Sequence, residues 1–218
     1  MSYQVAIDGP AGAGKSTIAK IVAAKKGFIY VDTGAMYRAM AIHMLRNGID
    51  PTDEETVANT SEKADISLEY VEGVQHVFLN GEDVTGSLRT EETGNMASLV
   101  SKYTAVRSRL VAIQKDIGTK NSIVMDGRDI GTVVLPDADV KVYLTASSKV
   151  RAKRRYDELV AKGQEADIDK IEEDIIARDH QDMTREVSPL KKADDAVEID
   201  SSYMTIEEVA DKILSLIK

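Results

Sequence analysis

A chain of 218 residues, 43% hydrophobic and 30% charged, has the make-up of an ordinary globular protein and is long enough to bury a substantial core. Its net charge of −9 repels polynucleotides, so nucleic acid is not an expected partner and a bound anion must be held by local groups of Arg and Lys. The absence of cysteine excludes disulfides and thiolate metal sites, and no apolar run or leader-like N-terminus points to a membrane, so a cytoplasmic protein is expected.

Taken in chain order, the apolar run Val5–Ile7 reads as a strand and leads into Gly9, Pro10, Ala11, Gly12, Ala13, Gly14, Lys15 and Ser16, a G-x-x-x-x-G-K-S loop, with Thr17 behind it. Glycines at this spacing let successive N–H groups converge on phosphate oxygens. Lys15 adds a positive charge, Ser16 offers a hydroxyl to Mg²⁺, and a helix over 15–26 points its positive end at the anion. The loop therefore predicts binding of a nucleoside triphosphate. A strand over 28–31 then runs into Asp32-Thr33-Gly34-Ala35-Met36-Tyr37-Arg38 and a helix over 35–47. Thr33 is placed as its N-cap, and Arg38 in the first turn opposes the helix dipole, so a phosphate is its natural counter-charge.

Residues 66–84 alternate with period two around Glu72-Gly73 and Asn80-Gly81, which predicts a small antiparallel meander. Helical patterns cover 91–101 and 104–117 before an apolar strand over 123–125. That strand ends in Asp126-Gly127-Arg128-Asp129-Ile130-Gly131-Thr132, where Asp126 stands as the carboxylate that orders hydrated Mg²⁺. Arg128 and Asp129, as neighbours in extended chain, are expected to point opposite ways. After a strand over 140–144, Arg151, Arg154 and Arg155 share one face of a helix over 148–162. Arg178, Asp182 and Arg185 share another if the 168–182 helix persists, and a strand over 196–199 and a helix over 205–217 follow.

Strands alternating with helices predict an α/β fold of the P-loop NTPase type, with a parallel sheet of five strands flanked by helices. A small antiparallel β insertion over 64–96 and a short helical lid over 151–180 interrupt a core made of 1–63 and 97–218. No general base is obvious beside the phosphate loop. A hydroxyl acceptor needs its proton removed, whereas a phosphate monoester already presents an anionic oxygen. The arginines favour the monoester, though Asp129 or Asp126 acting as base toward a small alcohol is the rival kinase reading. A nucleotide-binding regulator with little turnover is the second rival.

Together these segments, with Arg178-Asp179-His180-Gln181-Asp182-Met183-Thr184-Arg185, resemble the bacterial cytidylate kinases over residues 3–217. The resemblance implies transfer of the γ-phosphoryl of ATP to CMP or dCMP with Mg²⁺, by a protein expected to be a monomer. It implies acceptor-phosphate contacts at Thr33, Tyr37, Arg38 and Arg128, and cytosine contacts at Ser98, Arg107 and Asp129. Arg178 and Asp182 take the sugar, Arg185 a further phosphate, and Arg154 and Arg155 close over ATP. Lys15, Arg128, Arg154, Arg155 and Arg185 are then the catalytic set, and Ser16 and Asp126 the Mg²⁺ contacts, direct or through water. The base assignment has its own logic: a guanidinium donates to cytosine O2 and N3, and an aspartate accepts from N4.

Overall fold

The computed structural model describes residues 2–218. Strand β1 (Gln4–Asp8) runs through the glycine loop into helix α1 (Lys15–Lys26), and β2 (Ile29–Asp32) passes directly into α2 (Thr33–Arg46). Helix α3 (Glu54–Ser61) precedes three short strands, β3 (Ile66–Val71), β4 (Val74–Leu79) and β5 (Glu82–Asp83), and then α4 (Glu91–Val100) and α5 (Thr104–Lys120). The chain continues with β6 (Ile123–Gly127), β7 (Val140–Thr145), α6 (Ser148–Ala161), α7 (Ile168–Thr184), β8 (Val197–Asp200) and α8 (Ile206–Leu216).

Two compact units result, one of residues 3–30 and 122–218, the other of residues 31–121. The first is built on a five-stranded sheet in the order β2-β6-β1-β7-β8. Its central strand β1 pairs in parallel with β6 and β7, in a register that sets Asp8 beside Gly127 and Tyr143. Val5, Ile7, Val124, Val142, Leu144 and Ile199 pack with Ile18 and Val22 of α1 and Val209 and Ile213 of α8. A parallel sheet covered by helices needs apolar residues on both faces, which is why the inner strands β1 and β6 carry unbroken apolar runs. The loop after β1 passes so close to β7 that a Cβ on Gly9 would lie 1.9 Å from the Leu144 carbonyl oxygen, so only glycine fits there.

The second unit has its own core, in which Met36, Met40 and Met44 of α2 meet Leu79, Val100 and Leu110. Its small sheet is antiparallel in the order β3-β4-β5. Both connections are two-residue turns with positive φ at each position, Glu72 (51°) with Gly73 (79°) and Asn80 (52°) with Gly81 (81°). That is the turn whose twist suits a hairpin, and it fixes the register at Ile66 opposite Leu79. The meander expected over 66–84 is therefore present.

Three sequence expectations need correction. Helix α3 was not anticipated: only Val57 and Ser61 of its eight residues are buried, so no apolar stripe betrays it. Helix α2 begins at Thr33, because the Asp32 carboxylate, not Thr33, is the N-cap and accepts the Ala35 N–H at 3.0 Å. Arg38 thus falls in the second turn, where the dipole has little hold on it. Finally, Asp129 is not extended (φ −143°, ψ 27°), and Arg128 and Asp129 find different partners at the end of α7, Asp182 and Arg185.

Candidate active site

In the first unit the glycine loop ends on the N-terminus of α1, whose N-cap Gly14 has φ 90° and no capping side chain. The first-turn N–H groups are thus left to whatever anion the loop meets. Lys15 is buried at 5% exposure and donates from Nζ to the Pro10 carbonyl at 2.8 Å. Burial, reinforced by the Arg128 charge and opposed by Asp126 and Asp8, lowers its pKa to about 7. A phosphate beside it would restore its charge.

Asp126, at the end of β6, accepts the Ser16 hydroxyl at 3.0 Å on one oxygen and the Tyr30 hydroxyl at 2.8 Å on the other. Oxygens such as those of Ser16 and Asp126 suit a hard cation that keeps most of its water. No group of three or more His, Cys, Asp or Glu able to hold a metal occurs among the described residues. Such an ion would therefore depend on phosphate oxygens for the rest of its shell.

Asp8, one residue before the glycine loop, is buried and accepts the backbone N–H groups of Ile130 and Gly131, both at 2.7 Å. It is the anchor of the turn that follows Arg128 and Asp129. Burial pushes its pKa up to about 6, against those two N–H donors, while the neighbouring Asp129 pushes the same way and Lys15 opposes.

The turn faces the end of α7. Arg128 Nε donates to Asp182 at 2.8 Å, and Arg185, the C-cap of α7, stands 3.8 Å from both Asp129 and Asp182. Helix α7 ends at Thr184, so Arg185 lies just past the shared face expected of it, yet it still approaches Asp182. Burial works against the Asp182 charge, yet Arg128, Arg185 and Arg178 hold that carboxyl below the usual range. Burial likewise opposes the Arg128 charge and is outweighed by Asp182, Asp126 and Asp179. The result is a network of part-buried cations and buried carboxylates whose charges compensate one another.

The three arginines of α6 divide their work. Arg151 is buried and donates to the carbonyls of Ala11 in the glycine loop and Ala146, each at 2.9 Å, while gripping Asp179 of α7 with both ends of its fork. Arg154 donates to the Ser201 carbonyl at 2.8 Å, and the Ser201 hydroxyl in turn reaches the Ala13 carbonyl of the loop at 3.3 Å. Arg155 pairs with Glu158 on the surface.

In the second unit the residues of the D-T-G-A-M-Y-R segment lie on α2. Thr33 is buried, and the Arg38 guanidinium folds back over Gly34, where a Cβ would meet it at 3.3 Å and the Asp32 carboxylate at 3.2 Å. Arg107 of α5 is 3% exposed, donates to the Ser101 carbonyl at 3.2 Å, and lies over the Tyr37 ring 5.6 Å from its centroid. Ser98 stands on α4 one turn before Ser101, whose hydroxyl donates to the Ser98 carbonyl at 2.9 Å. Asp32 is held from two further residues: Gln75 of β4 bonds to its main chain, and Arg89 approaches its carboxylate at 3.6 Å.

Asp8, Tyr30, Asp179 and Gln75 were missed as site residues. Two carried a signal: Asp8 is a charge at a buried strand end directly before the first loop glycine, and Tyr30 precedes Asp32 by two on β2. The others reach their partners over separations that spacing does not reveal: 28 residues for Arg151 to Asp179 and 43 for Gln75 to Asp32.

Comparison with known proteins gives one answer. A family model described as cytidylate kinase matches residues 5–218. A cytidylate kinase of Bacillus subtilis is 52% identical over 214 residues, covering 98% of this chain and 96% of the relative. One from Bacillus pumilus is 53% identical over 210 residues, covering 96% and 93%. Among solved structures, a shikimate kinase from Bacteroides thetaiotaomicron superposes with a TM-score of 0.50 at 13% identity, covering 99% of this chain and 98% of that one, a likeness of fold.

Proposed function

This chain belongs to the cytidylate kinase family, and we propose that it moves the γ-phosphoryl group of ATP to CMP or dCMP, releasing ADP and CDP or dCDP. The observation that carries the proposal is the pairing, within one unit, of a buried Lys15 on the glycine loop with the Arg128–Asp182–Arg185–Asp129 network. The first is a triphosphate cradle. The second supplies guanidinium groups, Arg128 part-buried and Arg185 more deeply so, that a doubly anionic acceptor would draw from their carboxylate partners. Asp126 already accepts two hydroxyls, and Asp129 faces Arg185, so neither is arranged as a base toward an alcohol.

In this reading Gly9 to Thr17 wrap the donor phosphates, and Lys15 regains its full charge as they arrive. Ser16 and Asp126 would hold Mg²⁺, which supplies charge neutralisation to the donor phosphates when bound. Thr33, Tyr37, Arg38 and Arg128 receive the acceptor phosphate, with Arg185 beside it. Arg178 and Asp182 hold the sugar, and Ser98, Arg107 and Asp129 read the base. Transfer of a phosphoryl group to an anionic oxygen requires alignment and stabilisation of spread charge, which buried guanidinium groups provide.

Arg154 and Arg155 belong to a lid over 151–180 that closes on ATP, and the segment 64–96 closes on the acceptor. Closure keeps water from accepting the phosphoryl group. Among the described residues no helix is long and apolar enough to cross a membrane. In this reading the protein is a cytoplasmic monomer acting on small nucleotides.

Base reading is tested by Asp129→Ala with CMP and UMP offered separately. An aspartate that accepts from N4 of cytosine meets a carbonyl in uracil, so the substitution should collapse the CMP:UMP ratio of kcat/KM at least tenfold. An unchanged ratio removes Asp129 from the base site.

A further inference from the structure

We propose that Gln75, on the second strand of the meander, is a positioning residue for the acceptor: it fixes the entrance of α2 and so sets where Thr33, Tyr37 and Arg38 stand. This rests on the reading of those three residues as acceptor-phosphate contacts.

Strand β2 is an outermost strand of its sheet. Its last residue, Asp32, has both main-chain groups taken by one side chain from 43 residues away. The Asp32 N–H donates to Gln75 Oε1 at 2.9 Å, and Gln75 Nε2 donates to the Asp32 carbonyl at 3.3 Å. A primary amide is the side chain that can return both halves of a backbone ladder in this way. Asp32 is also the residue from which α2 starts, since its carboxylate caps the Ala35 N–H. Position at Asp32 is therefore passed directly to the first turn. There Thr33 is the next residue, and the Arg38 guanidinium folds back so far that a Cβ on Gly34 would lie 3.3 Å from it.

The body of α2 does not need this clamp. Met36, Ala39, Met40 and Ala41 are fully buried in the core of their unit and hold the helix by packing. Losing Gln75 should loosen the entrance alone. Gln75 itself sits just beyond the Glu72-Gly73 turn, opposite Tyr70, so the tip of the hairpin is what reaches the acceptor segment. The meander thereby acquires a task in the reaction besides covering the core.

The test is steady-state kinetics on Gln75→Ala and Gln75→Met, the latter keeping the bulk of the side chain without its donor or acceptor. Two hydrogen bonds of ordinary net strength predict a rise of about tenfold in KM for CMP. The KM for ATP and kcat should stay within about twofold, and Gln75→Met should behave as Gln75→Ala. A purely structural role would lower the unfolding temperature and leave KM for CMP unchanged, or move both KM values together; either result overturns the proposal. Arg38→Ala separates the two levels. If it raises KM for CMP while neither Gln75 variant does, the clamp is wrong and the acceptor reading survives. If Arg38→Ala also leaves KM for CMP unchanged, the acceptor reading falls and takes the clamp with it.

Discussion

Asp8 offers a prediction whose size follows from its surroundings. The carboxyl is buried beneath the turn that follows Arg128 and Asp129, and its pKa stands at about 6 against an ordinary value of 3.8. A folded-state pKa raised above the unfolded one means that the proton-bound form favours folding. Its contribution is complete below pH 3.8 and is lost as pH rises through 6. The shift of about two units corresponds to about 3 kcal/mol forgone once the group is ionised. Asp8→Asn carries no charge to desolvate, so it escapes that loss, though its amide can accept only one of the two N–H groups and turns a donor toward the other. The second effect is independent of pH and the first is not. Between pH 4.5 and 6.5, below the titration of Lys15, the stability of Asp8→Asn relative to the parent should therefore rise by about 2 kcal/mol. Urea unfolding of both proteins at the two pH values measures it, and titrating groups that do not interact with Asp8 cancel in the difference. A difference that stays constant with pH, or that moves against Asp8→Asn, would refute the account of Asp8.

Two further outcomes are expected. Arg151→Ala strips a buried carboxylate and the Ala11 and Ala146 carbonyls of their donor. Breaking such a pair costs about 3–5 kcal/mol, so the unfolding temperature should fall by roughly 6–20 °C and KM for ATP should rise; a fall below about 3 °C would show the pair to be dispensable. Lys15, with its pKa lowered by burial and by Arg128 to about 7, is mostly neutral at pH 8 in the ligand-free protein. ATP binding at that pH should take up about one proton, seen by calorimetry in buffers of different ionisation enthalpy, and much less at pH 6; no uptake at pH 8 would contradict the placement of Lys15 against the phosphates.

The layout of the sheet and the phosphate loop was legible because each rests on local pattern. Buried parallel strands must be apolar throughout, and the loop needs glycine where β1 passes under Leu144. The hairpins were legible through Glu72-Gly73 and Asn80-Gly81, whose positive φ values few sequences supply. What stayed hidden was the assignment of partners. Arg151, Arg154 and Arg155 are equivalent by spacing, yet one is buried against the loop, one reaches it through Ser201 and one stays at the surface. Thr33 and Asp32 are both good N-caps, and only the backbone at Asp32 decided between them. Helix α3 escaped because two of its residues carry its burial, and a short helix held by its N-cap Asp53 leaves little periodicity to read.

The central claim is that this chain phosphorylates a cytosine monophosphate. It is tested most directly by ADP release with ATP and Mg²⁺ while CMP, dCMP, UMP, AMP and GMP are offered in parallel. The account predicts fast turnover with CMP and dCMP, weak turnover with UMP and none with the purines. Turnover with AMP or GMP at a rate matching CMP would contradict the base reading, and silence with all five would contradict the claim itself.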